Sequence, residues 1–373
     1  MTKEKENIQF RYLYAFGILF VVLSHCDGGG IQMLSNWMHF GAFHLAVFVF
    51  GSGYFFRGNN ISNLFSYVGK KIKTLLLPLW GWNLVYGLIV TGLHFIGFQF
   101  GETISLKGVV LGPVINKDLY QFNMGSWFVF PFFMVQILYA CMKWCLDKIG
   151  KSNVTDKLLQ FVFVAVGILG VQSAGKGLDG EWQFVLMRIL YFMPFYVLGI
   201  WYREKLESLN KKLPTMGVLG GCLVIALLLN TYFGRVVYAI PSTCDYPFGT
   251  FATYIAALVG ITFWLQVSGW LAECGTPITI LKVIGNSTWD IMIHQFAGIF
   301  AVKCIFGMLN RLFPIFADFD WQIFKQDIWY LYRPKGIAEY AFLYVIGAVA
   351  FSVLVKQIMK KVKESVVFRK QVK

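Results

Sequence analysis

Charged residues are scarce in this chain. Asp, Glu, Lys and Arg make up 14% of its 373 residues and hydrophobic residues make up 57%, whereas soluble domains carry roughly a quarter charged residues. The few charges lie in short segments between long apolar blocks, which is the pattern of membrane-spanning helices. The composition therefore excludes a soluble enzyme or binding module, and the chain length sets how many helices fit in lipid.

Motifs for disulfides, metals and nucleic acids are also missing. The seven cysteines are scattered without CxxC or metal-ligand spacing, so we interpret them as core residues. The positive residues behind the net charge of +14 flank apolar blocks instead of forming a basic domain. This indicates membrane orientation and contact with anionic lipids. We expect no nucleic-acid partner, no metal and no bound cofactor.

Ten apolar segments approach the roughly 20 residues that a transmembrane helix needs. They are residues 12–30, 40–58, 75–97, 125–146, 157–174, 184–202, 214–233, 248–270, 283–305 and 337–358. We therefore predict an all-α integral membrane protein with about ten transmembrane helices, formed by one domain over residues 1–373. The outer segment 306–336 interleaves aromatic and charged residues and is expected to lie at the membrane surface.

Lysine and arginine predict the orientation of these spans. Most of the 33 basic residues lie on the loops that share a side with the N-terminus. By the positive-inside rule, both termini are expected in the cytoplasm, together with a basic tail at residues 359–373.

Ionisable side chains inside spans are costly and mark candidate functional sites. His25 lies toward the outer end of the first span, where a neutral imidazole can take a proton from a hydroxyl. His44 lies about one turn into the second span. Asp290 and His294 are four residues apart on the ninth span, so they share a helix face and are placed to pair. Structural roles are the alternatives: an interfacial histidine, and a buried pair that satisfies itself.

Further polar residues surround these candidates. Ser287 and Gln295 extend the polar row of the ninth span. Ser52 lies deep in the second span, where a small residue also serves helix packing. Arg188 lies inside a span, from which it can reach a phosphate or a carboxylate.

Basic residues on the cytoplasmic side form a separate group. They flank the second and third spans and are Arg57, Lys70, Lys71 and Lys73. Such residues either orient the spans or hold the phosphates of a cytoplasmic donor.

Five segments carry a family resemblance. They are YAFGILFVVLSH (14–25), FHLAVFVFGSGYFF (43–56), KKIKTLLLPLWGW (70–82), GSWFVFPFFMVQILY (125–139) and IGNSTWDIMIHQ (284–295). Taken in this order, they resemble the acyltransferase-3 family of multispanning bacterial membrane proteins. The resemblance implies about ten helices, acyl-CoA (acetyl-CoA for O-acetyltransferases) as co-substrate at the cytoplasmic face, and transfer to a hydroxyl of a carbohydrate or a lipid-linked glycan.

The resemblance also assigns roles to individual residues. His25 matches the family's catalytic histidine and His44 its second-span histidine. Trp127 matches the tryptophan before the fourth-span phenylalanine. Ser287 and His294 match the serine and the histidine of a segment late in the family's sequences.

Two positions depart from the family pattern. The family usually has Arg or Lys with ten residues between it and the histidine, and Tyr14 occupies that position here. Arg11, three residues earlier on roughly the same helix face, is the expected substitute. The basic loop often contains two arginines, for which Lys70 and Lys73 stand here, and lysine lacks the bidentate fork of arginine.

These observations predict a membrane acyltransferase in the bacterial cytoplasmic membrane, with His25 as general base and donor phosphates on Arg11, Arg57 and the run 70–73. The alternative is a polytopic transporter or flippase for a lipid-linked glycan or small solute, with Asp290, His294 and Arg188 coupling protons. The sequence shows no duplication into the paired halves that are common in transporters, which counts against this alternative. The acceptor, the acyl group, direct transfer versus a covalent relay, and oligomerisation stay open.

Overall fold

The structure, a computed structural model, describes residues 7–26, 36–61, 63–115, 120–150, 153–174, 177, 180–274, 278–313 and 316–371. Within these ranges the chain forms helices joined by turns and no β-strand. Nine of the described helices are long and apolar enough to cross a membrane. The predicted all-α membrane class is confirmed.

The helices pack together as a bundle. In chain order they are α1 (Ile8–Cys26), α2 (Ala46–Phe55), α3 (Leu64–Phe95), α4 (Leu106–Val110), α5 (Gly112–Ile115), α6 (Val129–Ile149), α7 (Asn153–Ala174), α8 (Glu181–Asn210), α9 (Thr215–Phe233), α10 (Gly249–Glu273), α11 (Thr279–Gly285), α12 (Thr288–Asn310), α13 (Trp321–Gln326) and α14 (Ala341–Gln371). α3 and α8 contain π-helical turns at Ile72–Leu76 and Tyr202–Leu206. Three-ten turns precede α2 (Phe40–Ala42) and α6 (Met124–Phe128).

Each of the ten predicted spans overlaps one helix of the bundle, and the second of these helices is shorter than the rest. Its apolar helical stretch is Phe40–Phe55. This stretch nevertheless follows α1 along most of its length, since the ring centroids of Phe20 and Phe43 are 5.7 Å apart and those of Phe10 and Tyr54 are 4.1 Å apart. α2 therefore runs antiparallel to α1.

The two ends of the bundle differ in chemistry. We call the end that carries Arg11, Arg57 and Lys71 the basic end, and the end that carries His25 and Trp329 the histidine end. α14 continues to Gln371, so most of the predicted basic tail extends the last helix, and residues 372–373 lie outside the described part of the chain.

Two connections at the histidine end pack into the bundle. The short helix α4 lies against α3, where the buried Asn83 donates from Nδ2 to the carbonyl of Gly108 at 3.1 Å. The segment after α12, which is expected to lie at the membrane surface, packs Phe324 and Ile328 into the bundle and leaves much of its remaining surface exposed. Both connections therefore contribute buried residues, and the second also brings Trp329 to the site below.

A side-chain pair outside the spans adds to the order of this second connection. The hydroxyl of Tyr332 donates to the carboxylate of Asp318. This hydrogen bond holds the pKa of Asp318 below its usual range, because it stabilises the ionised form.

α8 packs closely against α2 and α7. Where α8 crosses α2, a Cβ at Gly199 would meet the carbonyl oxygen of Phe50, and a Cβ at Gly53 would meet the carbonyl oxygen of Tyr196. Small residues allow such close backbone approach between membrane helices. In contrast, α9 lies at the periphery, where Leu228 is 64% exposed.

We predict that Gly199→Ala lowers the free energy of unfolding in detergent by about 1–3 kcal/mol, because the added methyl overpacks the α2–α8 crossing. Thermal unfolding of the purified protein measures this. Gly221→Ala is the matched control, since Gly221 lies on α9 with nothing within 4 Å of an added Cβ, and alanine stabilises an open helix position by about 0.5–1 kcal/mol. Equal stability of the two variants would contradict the close crossing.

Candidate active site

Two cavities lie next to each other inside the bundle. The outer cavity, toward the histidine end, has a volume of about 290 Å³, and the inner cavity, toward the basic end, about 280 Å³. Two segments line both cavities. At the start of α2, Leu45 lines the outer cavity and Phe48 the inner one, and in the three-ten turn before α6, Trp127 lines the outer cavity and Phe128 the inner one. The rings of Phe48 and Phe128 are 6.1 Å apart between centroids, so these two side chains lie where the cavities adjoin.

His25, on the last turn of α1, lines the outer cavity. Its Nδ1 is 3.0 Å from Oε1 of the buried Gln295 on α12. Nε2 of Gln295 donates to the carbonyl of Met292 at 3.2 Å, which turns Oε1 toward the imidazole. Because a carboxamide oxygen only accepts, Nδ1 of His25 carries the proton and Nε2 holds the lone pair. This tautomer is the one that a general base at this position needs.

Two more histidines line the same cavity. His44 donates from Nδ1 to the carbonyl of Phe40 at 2.7 Å, so its Nε2 also holds a lone pair. His39 accepts at Nδ1 from the N–H of Gly41 at 3.0 Å, so its Nε2 carries the proton. His39 directly precedes the second predicted span, and this position at the span boundary is the signal for it in the sequence. Among the described residues, no group of three or more His, Cys, Asp or Glu is arranged to hold a metal ion.

The expected pairing of Asp290 with His294 is wrong. Nδ1 of His294 is 2.7 Å from the hydroxyl of Tyr86 on α3. Asp290 instead forms an ion pair with Lys356 of α14, at 3.1 Å, and Lys356 also donates to Oγ of Ser287 at 3.2 Å. Asp290 and His294 both lie on α12, but neighbouring helices supply closer partners for each. Their side chains therefore join α12 to α14 and to α3, respectively.

Arg188 holds the wall of the outer cavity. Its Nε and Nη2 donate to the carbonyl of Ser242, at 3.0 and 2.6 Å, and Ser242 lines the cavity. The guanidinium also lies 5.3 Å from the ring of Trp127, which stacks on Phe192 at 6.3 Å. Arg188 thus supports two parts of the cavity wall, and its predicted reach to a phosphate or a carboxylate stays a prediction.

The inner cavity brings together three predicted residues from three helices: Tyr14, Ser52 and Lys71. Nζ of Lys71 donates to Oε1 of the buried Gln136 at 2.5 Å. Lys71 and Thr74 are three residues apart and share the inward face of α3. Aromatic and aliphatic residues form the rest of the wall, so a single ammonium lies at the edge of an apolar space.

The other basic candidates lie outside this cavity. Lys70 and Lys73 are exposed and line neither cavity. Arg57 donates from Nη1 to the carbonyl of Tyr54 at 2.8 Å, and therefore caps the end of α2. The backbone of Arg11 lies against α11 at Gly285. Lys71 is thus the basic member of the predicted donor set that lines the inner cavity, together with Tyr14.

We predict that Asp290→Asn and Lys356→Met are energetically coupled by about 0.5–1 kcal/mol, as expected for a partly exposed ion pair. A double-mutant cycle on thermal unfolding measures the coupling. His294→Gln combined with Asp290→Asn is the control and should be additive. Coupling of Asp290 to His294 instead of Lys356 would contradict the observed partners.

Comparison with known proteins gives one match. A family model described as an acyltransferase domain, Acyl_transf_3, covers residues 7–356. No curated protein and no solved structure matches the chain. Since the family model spans nearly the whole chain and includes both cavities, the protein belongs to the acyltransferase-3 family of membrane acyltransferases.

Proposed function

We propose that the protein transfers an acyl group, most simply acetyl, from acyl-CoA to a hydroxyl of a cell-surface or lipid-linked carbohydrate. The observation that carries this proposal is the fixed tautomer of His25 in the outer cavity, beside an inner cavity that begins at Lys71. Family membership supports the reaction class, and the two cavities supply separate places for the acceptor and the donor.

The acceptor enters from the histidine end. Nε2 of His25 removes the proton of the acceptor hydroxyl as its oxygen attacks the thioester carbonyl. Oε1 of Gln295 keeps accepting from Nδ1–H, which stabilises the imidazolium that forms. Collapse of the tetrahedral intermediate breaks the C–S bond, and the leaving thiolate takes the proton from Nε2. The products are the ester and the free thiol of CoA, and the imidazole is neutral again.

The donor enters from the basic end. Lys71, at the edge of the inner cavity, is placed to attract the phosphates of CoA. The apolar wall of the inner cavity suits the pantetheine arm and a short acyl chain. Direct transfer requires the thioester to reach between Phe48 and Phe128, where the cavities adjoin. On this scheme the basic end faces the cytoplasm, as the positive-inside rule predicts, and the membrane is the bacterial cytoplasmic one.

The transporter alternative loses its main support. It assigned proton coupling to Asp290, His294 and Arg188. These residues bond to Lys356, Tyr86 and the carbonyl of Ser242. Such contacts join helices and loops, whereas His25 and His44 remain in a cavity suited to acid–base chemistry.

We predict that His25→Ala lowers acyl transfer by about 10²- to 10⁴-fold, the usual contribution of a general base, while acetyl-CoA binding is unchanged. Transfer of labelled acetyl from acetyl-CoA to glycan, in vesicles with matched protein abundance, measures this. His94→Ala is the control, because His94 lies at the same end but bonds to the carbonyl of Phe100. Full activity of His25→Ala would remove this residue from the mechanism.

We predict that Lys71→Met weakens binding of labelled acetyl-CoA by about tenfold, the equivalent of one charge-assisted contact to phosphate. Methionine keeps the length of the side chain and removes its charge. Lys73→Met is the matched control on the exposed face of the same helix and should have a smaller effect. An equal loss in both variants would show that overall charge, and not the inner cavity, attracts the donor.

A further inference from the structure

A half-exposed tryptophan lies beside the candidate base. Trp329 lines the outer cavity, and its ring centroid is 6.0 Å from that of His25. It is 49% exposed and meets the buried Phe296 edge-to-face, at 5.4 Å and 90°. Phe296 also contacts the imidazole, at 4.8 Å. The three rings therefore form one surface at the mouth of the cavity.

A buried lysine determines where this tryptophan lies. Lys303 on α12 has no exposed surface, and its Nζ donates to the carbonyl of Ile328 at 2.6 Å. The ammonium lies 6.0 Å from the ring centroids of Phe300 and Phe324. Burying a charge is costly unless it is well bonded. The hydrogen bond from Lys303 to the carbonyl of Ile328 offsets part of this cost.

The contact fixes the backbone immediately before Trp329. The N–H of Trp329 in turn donates to Oδ1 of Asp327 at 2.7 Å, so both sides of the peptide bond between 328 and 329 are held. Lys303 belongs to the same helix as Gln295, which orients His25. The tryptophan and the candidate base are therefore positioned by a single rigid element.

The opposite wall of the cavity holds its tryptophan differently. Trp127 is 9% exposed and packs against Phe192 and Arg188, so little of its ring is open to a ligand. Trp329 is 49% exposed on the cavity wall, so its indole is accessible to a ligand. Trp182 is also near the histidine end and is 60% exposed, but it does not line the outer cavity. Such exposure is usual for aromatic residues in a membrane belt.

The chemistry of the outer cavity narrows the class of acceptor. Its wall combines aromatic faces with hydrogen-bonding groups, including the three histidines and Ser24. A pyranose ring has the same combination, since it presents apolar C–H groups on its faces and hydroxyls at its edge. A lipid acyl chain offers no hydrogen bonds to the histidines, and an acyclic polyol offers no flat face to Trp329.

We propose that Trp329 is the acceptor ring subsite: a sugar ring stacks on its indole and thereby presents a hydroxyl to His25, while Lys303 acts as the positioning residue for the indole. This inference rests on the proposed function, because it assumes that the outer cavity receives the acceptor. It adds that recognition depends on the ring itself, through a residue that takes no part in proton transfer.

The test compares acceptors that differ in the ring alone. Purified protein in nanodiscs receives labelled acetyl-CoA with octyl β-glucopyranoside, octyl β-galactopyranoside or the octyl ether of an acyclic hexitol. We expect the wild type to acetylate at least one pyranoside with a KM about tenfold below that of the acyclic acceptor, as one aromatic contact supplies. Preference for the acyclic acceptor would overturn the subsite.

Variants then locate the effect. Trp329→Ala should raise KM for the pyranoside about tenfold, with little change in kcat, in KM for the acyclic acceptor or in acetyl-CoA binding. Trp329→Phe should recover part of the loss, and Trp182→Ala is the matched control that should behave as wild type. An unchanged KM in Trp329→Ala, with transfer intact, would refute the subsite and leave the proposed function standing.

Lys303→Met tests the positioning role. It should raise KM for the pyranoside as Trp329→Ala does, and the double variant should show no further increase, because both changes remove the same contact. Additive effects on KM would refute positioning by Lys303. If Lys303→Met does not fold, the Trp329 variants still decide the subsite. A wild type that binds acetyl-CoA but acetylates no acceptor would refute the proposed function together with the subsite.

Discussion

The hydrogen bond between His25 and Gln295 is the interaction on which the rest of the site depends. It joins α1 to α12 and, because the carboxamide oxygen only accepts, it leaves the lone pair of the imidazole on Nε2. The side chain of Gln295 can take this position only because residue 125 is a glycine, since a Cβ there would lie 2.5 Å from Nε2 of Gln295. The three-ten turn at Met124–Phe128 therefore carries glycine at the point where the outer cavity, the base and the ninth predicted span meet.

Two buried cations in the described part of the chain have the same physical role. Arg188 bonds to the carbonyl of Ser242 and Lys303 to that of Ile328, whereas the buried Lys143 forms ion pairs with Asp147 and Asp156. In a bilayer, backbone carbonyls at the ends of helices and in buried loops cannot turn to bulk water, so a long cationic side chain stabilises them where helix caps are missing. Hydrogen bonds to these carbonyls offset part of the cost of burying the charges. Ser242 and Trp329, the residue after Ile328, line the outer cavity, so the same bonds hold parts of its wall.

Sequence reasoning was most successful where one helix determines the outcome. It identified the ten helical segments, and it predicted histidines near one end of the bundle and lysines near the other, because hydrophobic blocks and intramembrane polar residues are visible in one dimension. It failed for Asp290 and His294, since a shared helix face does not tell which neighbouring helix supplies the partner. For the donor it named Lys70, Lys71 and Lys73, and only the fold could show that Lys71 is the one of the three that lines the inner cavity.

The sequence by itself determined that this chain is a helical membrane protein with histidines near one end of the bundle and basic residues near the other. The reason is that lipid excludes unpaired backbone groups and charge, so span length and polar exceptions are written directly in residue order. Only the tertiary structure decided that His25 meets Gln295, that two cavities adjoin at Phe48 and Phe128, and that Trp329 lies beside the base. Those contacts join residues as many as 304 positions apart along the chain, and packing alone brings them together.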